Sequence, residues 1–165
     1  MTLQIEHLNK SVHALDSFSN EEEEIEHFLK LRAEIEYDQN LSETHVLVND
    51  EQRNIILGYF TLSPNSIRVN KIPEGIRPNA PYPNVPTTLL GRMGRNKLAP
   101  KGLGIILMKE AMRISLNGIR FFALELHAKN DQLVKYYSRY GFMLLQGSNR
   151  PMILPYQEVY DTVMN

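Results

Sequence analysis

Residues 98–112 read LAPKGLGIILMKEAM, and the fold turns on this stretch. Gly102 and Gly104 stand two apart at the mouth of an apolar, helix-like run. A glycine turn that opens a helix leaves the first-turn amides pointing outward, where they and the helix dipole attract anions. Glycine suits such a turn because a Cβ would keep a phosphate at a distance. The Walker loop requires Gly-Lys-Ser/Thr, whereas Ile105 and Ile106 follow Gly104, which excludes an NTPase of that type. A dinucleotide fingerprint needs a small residue three positions after Gly104, and Leu107 stands there. Taken alone, the turn is equally a tight helix entry.

The 165 residues suffice for one domain, residues 1–165, with a core that folds without metal or disulfides. Cysteine is absent, which excludes disulfides, thiolate zinc sites and a cysteine nucleophile. The five histidines show no metal-ligand spacing, so no metal is expected. The amino terminus MTLQIEHLNK lacks an apolar signal region and no later stretch has the length of a membrane span, so a soluble, cytoplasmic protein is expected. The net charge of −1 divides into −9 over residues 1–60 and +8 over residues 61–165, which points to an anionic ligand or partner for the second half. Arg92, Arg95, Lys97 and Lys101 crowd around the glycine turn.

Outward from the turn, TTLLGRM (87–93) reads as a strand, Leu103 to Asn117 as a helix, and IRFFALELHA (119–128) as the next strand. The helix would bury Ile106, Leu107, Ala111 and Ile114. Asn130 or Asp131 caps a helix QLVKYYSRY that Gly141 ends, then FMLLQ and PMILP (151–155) read as strands. Upstream, LQIEHL, THVLV (44–48) and NIILGYFTLS (54–63) read as strands, the last two joined by a turn at NDEQR. EEEEIEHFLKLRAEIEYD reads as a helix whose start is set by Ser19 and Asn20 at capping-box spacing from Glu22 and Glu23. Its buried stripe would be Ile25, Phe28, Leu29 and Ile35. Six prolines between Pro64 and Pro86 argue for a long functional loop without regular structure. The order implies an α/β (α+β) fold with a mixed sheet.

Three motifs together carry a family resemblance. APKGLG (99–104) resembles the (Q/R)-x-x-G-x-(G/A) loop of GNAT-family N-acetyltransferases, KYYSRYGF (135–142) resembles their F-Y-x-x-x-G-F element, and Asn130 matches an asparagine found just ahead of that helix. GYFTLS, the proline-rich segment and LLGRM are similar to the GNAT toxins of toxin–antitoxin pairs over roughly residues 18–155. The resemblance implies a mostly antiparallel central sheet of six to seven strands flanked by helices. It implies acetyl-CoA as cosubstrate, held by Met93, Gly94 and Arg95 through backbone amides, by Lys101, Gly102, Leu103, Gly104 and Ile105 at the pyrophosphate, and by Asn130. Ala99 replaces the family's Gln/Arg and Pro100 removes an amide, so Lys97 or Lys101 is expected to supply the charge.

With no cysteine, the expected chemistry is direct attack by a primary amine in a ternary complex. The resemblance makes Tyr137 the general acid that protonates the departing thiolate; Tyr136 and Tyr140 are read as packing residues. Glu125 and His127 share one strand face, but a strand's polar face is usually solvated and an α-amine has a low pKa, so no base is assigned. The acceptor implied is the α-amine of aminoacyl-tRNA, with an antitoxin protein and a homodimer as further partners and no membrane. Two alternatives stand beside it: a GNAT acting on a small-molecule or protein amine, and a degenerate module that binds CoA without catalysis.

Overall fold

The computed structural model describes residues 2–165. Its seven strands are β1 (Leu3–His7), β2 (Glu43–Asn49), β3 (Gly58–Arg68), β4 (Asn84–Arg95), β5 (Ala123–His127), β6 (Met143–Leu144) and β7 (Pro151–Pro155). They form one mixed sheet in the order β1-β2-β3-β4-β5-β7-β6. β4 and β5 pair in parallel, while β1–β2, β2–β3, β5–β7 and β6–β7 pair antiparallel. The helices are α1 (Glu23–His27), α2 (Ala33–Asp38), α3 (Leu103–Leu116), α4 (Asp131–Ser138) and α5 (Tyr156–Met164), and a π turn over Phe28–Arg32 joins the first two. This is the α/β sheet with flanking helices that the sequence implied. No helix among the described residues is long and apolar enough to cross a membrane.

The chain divides into two compact units interleaved along the sequence. The first comprises Met1–Ser63 and Gly91–Ala111. Its core joins Phe18, Phe28, Leu29, Ala33, Val46, Val48, Ile56 and Tyr59. From Thr44 to Val48 β2 is buried on both faces, so THVLV does not alternate between buried and exposed positions. Tyr59 is fully buried and its hydroxyl donates to the Ile25 carbonyl at 2.6 Å, which ties the strand to the start of α1. Burial pushes that phenol's pKa up.

A polar cluster fixes the edge strand β1. Arg53 makes a bidentate pair with Glu6, and the buried His13 approaches the same carboxylate at 2.9 Å. The Asn9 amide donates to His13 Nδ1, so the ring carries its proton on Nε2 and donates it to Glu6. The Arg53 guanidinium, helped by His13 and Gln4 against the cost of burial, lowers the Glu6 pKa to about 2. A carboxylate depressed in the folded state contributes stability above its unfolded pKa that is lost as pH falls towards 2. Glu6→Gln is expected to cost about 1–3 kcal/mol at pH 7, less than the full shift implies because Arg53 is half-exposed. It should also flatten the acid limb of a stability–pH curve measured by urea denaturation between pH 2 and 7.

The second unit comprises Pro64–Leu90 and Met112–Asn165, and its core gathers Ile67, Ile72, Val85, Ala123, Leu145 and Ile153. Here the proline-rich segment corrects the expectation. β3 continues through the exposed Pro64 to Arg68, and β4 begins before Pro86. Proline lacks only a donor, and the Pro86 carbonyl still accepts from the Phe122 amide at 2.8 Å. Only residues 69–83 lie outside strands, and they wrap the fully buried Ile72 while Arg77 donates to the Ile72 carbonyl at 2.8 Å.

Other boundaries shift for identifiable reasons. β3 starts at Gly58, not at residue 54, and β5 starts at Ala123 because Ile119 and Arg120 face solvent. Ile35 is exposed, since the π turn rotates the helical face after Leu29. Asn20 sets the start of α1, though not by the expected spacing: its Oδ1 accepts from the Glu22 amide and Glu26 reaches back to the Asn20 amide. α3 buries Leu103, Leu107, Met108 and Ala111, with Ile106 and Ile114 half-buried beside them. FMLLQ contributes only the two residues of β6, and α5 was not foreseen.

Candidate functional site

The expected site residues divide between the two units. Met93, Gly94, Arg95, Lys97, Lys101, Gly102, Leu103, Gly104 and Ile105 lie in the first, and Asn130 and Tyr137 in the second.

In the first unit the glycine turn stands on a buried apolar base. Leu103 and Leu107 anchor the start of α3, while Lys97, Lys101 and Ile105 face solvent. Gly102 adopts φ +93°, a left-handed conformation that glycine alone enters at low cost. Gly104 has no such constraint, yet a Cβ placed there would meet no protein atom within 4 Å. Glycine at 104 therefore leaves open space beside the first-turn amides, which suits a phosphate.

Ala99 stands where a donor was expected, and its side chain is buried. Neither lysine holds the loop. Arg95 does: its Nη1 donates to the Ala99 carbonyl at 2.6 Å and to the Asn96 carbonyl at 3.0 Å. Asn96, almost fully buried, completes the brace by donating to the Ser17 and Ile56 carbonyls and accepting from the Leu98 amide. Lys97 takes part through its backbone amide, which donates to the Ser19 carbonyl. The family resemblance implied only a backbone role for Arg95, and nothing in the sequence marks the contact its side chain makes with the loop.

Met93 and Gly94 are half-buried near the end of β4. Glycine at 94 is required by packing, since a Cβ would come within 2.5 Å of Ile25 Cγ2. Asn20 Nδ2 donates to the Arg95 carbonyl at 2.8 Å and fixes the strand end to the segment before α1. Beside them Arg92, left out of the expected site, lies 4.2 Å over the Phe28 ring and 3.8 Å from Glu24. Its Nε is buried without a hydrogen-bond partner.

In the second unit Asn130 caps α4, its side-chain oxygen accepting from the Leu133 amide. That leaves the amide nitrogen as the group it can offer a ligand. Tyr137 is half-buried one residue before the end of α4, with its ring set edge-on to Tyr136 and Phe142 at 5.3 and 5.9 Å. The Phe142 amide donates to the Tyr137 carbonyl, a closure that Gly141 permits with φ +96°. The Tyr136 and Tyr140 rings meet edge-on, with their hydroxyls 3.5 Å apart. That hydroxyl pair, together with burial, pushes the Tyr136 pKa up to about 12.

Glu125 is not on a solvated strand face. It is buried, and one carboxylate oxygen accepts from Asn65 at 3.0 Å and Thr87 at 2.8 Å. The other lies 2.8 Å from His127 Nε2, which raises the imidazole pKa against the opposing effect of burial. The pair stabilises the fold below the unfolded histidine pKa, and the contribution is lost as pH rises through the raised value.

A parallel β4–β5 pair within a mostly antiparallel sheet, with a glycine turn between β4 and α3, is the arrangement of the GNAT fold. Solved structures with this fold cover nearly the whole chain. A tyrosine-to-phenylalanine mutant of KacT superposes with a TM-score of 0.86 at 24% identity, covering 98% of this chain and 99% of that one. AtaT complexed with acetyl-methionyl-tRNAfMet gives 0.85 at 22% identity, covering 98% and 99%. A tyrosine-to-phenylalanine mutant of the AtaT toxin, bound to the carboxy terminus of the antitoxin AtaR and acetyl-CoA, gives 0.78 at 21% identity, covering 99% of each. No family model matches the chain.

Proposed function

We propose that the protein is an acetyl-CoA-dependent N-acetyltransferase whose acceptor is the α-amino group of an aminoacyl-tRNA. The observation that carries the proposal is the glycine turn at the start of α3, open beside Gly104 and braced by Arg95. The fold shared with AtaT, whose solved structures include complexes with acetyl-CoA and with acetyl-methionyl-tRNAfMet, supports both cosubstrate and acceptor. The AtaR complex supports an antitoxin partner in the same way.

In this reading the first-turn amides of α3, Gly102 and Gly104 take the pyrophosphate, with Lys101 adding charge. The backbone from Met93 to Arg95 takes the pantetheine and the acetyl carbonyl. The amine nitrogen attacks the thioester carbon and a C–N bond forms. The C–S bond then breaks, Tyr137 passes its phenolic proton to the thiolate, and the proton lost by the amine goes to water. An aminoacyl α-amine is substantially neutral near pH 8 and needs no dedicated base.

The test is incubation with acetyl-labelled acetyl-CoA and, separately, charged tRNA, uncharged tRNA, polyamines and peptides. Label on charged tRNA alone is the expected result. Label on polyamines or peptides only would replace the acceptor, and label on none of them would contradict the proposed transfer.

A further inference from the structure

We propose that His7, Glu43 and His45 form a binding site for one divalent transition-metal ion of the zinc or nickel type. The site lies in the first unit and does not depend on the proposed transfer chemistry. The sequence hides it because its two imidazoles come from different strands, 38 positions apart. Pairing of β1 with β2 sets His7 directly opposite His45. The next pair along carries the ladder bond, from the Leu8 amide to the Thr44 carbonyl at 2.9 Å. His7 and His45 therefore form a non-hydrogen-bonded pair, the kind in which facing side chains come closest. Their ring centroids are 4.4 Å apart.

Glu43 precedes His45 by two residues and so projects from the same face. Its Oε1 is 3.1 Å from His45 Nε2. One ligand atom from each of the three residues lies within 4.8 Å of the others, and no other trio of His, Asp or Glu among the described residues does so. Around a tetrahedral ion with bonds of about 2.0–2.2 Å, donor atoms lie about 3.4 Å apart. Small rotamer adjustments at the exposed His7 and the half-exposed Glu43 close the remaining gap. His45 is the fixed member: it is 3% exposed and stacks on Phe60 at 5.2 Å with an interplanar angle of 17°. An apolar wall behind an imidazole ligand holds its orientation and limits water.

Two imidazoles and one carboxylate select borderline transition ions over magnesium or calcium, which prefer all-oxygen shells. Three protein ligands leave at least one position for water. Bound there, an ion would clamp the edge strand β1 to β2.

The experiment uses the untagged full-length protein, stripped with EDTA and exchanged into chelator-free buffer. Zinc, nickel and magnesium chlorides are titrated separately by calorimetry. The expected result is one zinc or nickel ion per chain at micromolar or tighter affinity, no magnesium binding, and a raised thermal midpoint in zinc. His7→Ala and Glu43→Gln, both at accessible positions, should each weaken zinc binding at least about tenfold, given that even loss of an outer-shell partner costs about 10–100-fold. Thermal midpoints without metal should match the parent protein, separating lost ligation from lost folding. Absence of zinc and nickel binding below millimolar concentration would overturn the site. So would binding unchanged in both variants, which would place the ion elsewhere.

Discussion

Tyr137→Phe is expected to lower kcat for acetyl transfer by about 10²–10⁴-fold, the range attributed to a positioned general acid. The Michaelis constant for acetyl-CoA should change little. The substitution removes one oxygen and keeps the ring, so the edge-on contacts with Tyr136 and Phe142 survive and the helix end remains closed over Gly141. The change therefore removes the hydroxyl while keeping these ring contacts. Without the phenol, the thiolate leaves unprotonated and the barrier to C–S cleavage rises. Steady-state release of free CoA thiol, followed with a confirmed acceptor, measures the effect. An unchanged kcat would remove Tyr137 from the chemistry. Tyr140→Phe serves as the control and should leave turnover within a few-fold, because that hydroxyl meets Tyr136.

The second large effect is expected at Gly104. Most glycine replacements in a packed domain confound binding with folding, and Gly94 would do so here. Gly104 is different, since a Cβ there meets no protein atom within 4 Å and the backbone is not left-handed. Gly104→Glu should leave thermal stability unchanged or slightly raised, as expected for losing a glycine from the first turn of a helix and adding an acid near its positive end. Its side chain and charge would occupy the space assigned to the pyrophosphate. Acetyl-CoA affinity should fall at least about a hundredfold, roughly 2.7 kcal/mol. Gly104→Ala should give a smaller loss in the same direction. A Gly104→Glu variant that binds acetyl-CoA as the parent does would show that the turn serves only helix entry.

The sequence was legible where local chemistry has a period or a punctuation mark. The glycine turn, the Asn130 cap, the Gly141 stop and the β2 run each announce themselves through backbone conformation, capping or burial. Strand boundaries around Pro64 and Pro86 were not legible, because a proline removes one donor and only the partner strand decides whether that donor was needed. The π turn after His27 moved Ile35 out to solvent, and no residue pattern marks that change of helical register. α5 has a modest apolar face around Val159 and lay behind PMILP without a separate start signal, since Pro155 caps it without a side-chain bond.

At the candidate site the same division holds. Glycines 102 and 104 were legible from spacing alone, although only Gly102 takes a left-handed backbone and Gly104 instead has open space where a Cβ would stand. The brace from Arg95 to Ala99, the buried Arg92 Nε and the burial of Glu125 depend on where side chains meet across distant segments. Ala99 and Pro100 looked like a defect against the family pattern. Arg95 approaches the loop from the end of the preceding strand and holds the Ala99 carbonyl, a contact that no residue spacing announces.

Acetyl-CoA binding is the step on which every other part of the functional account rests. Calorimetric titration of the full-length protein with acetyl-CoA, beside dephosphorylated pantetheine lacking the pyrophosphate, measures it most directly. The account predicts one acetyl-CoA per chain and binding at least about tenfold weaker once the pyrophosphate is removed. No acetyl-CoA binding at millimolar ligand, or equal affinity for both compounds, would contradict it.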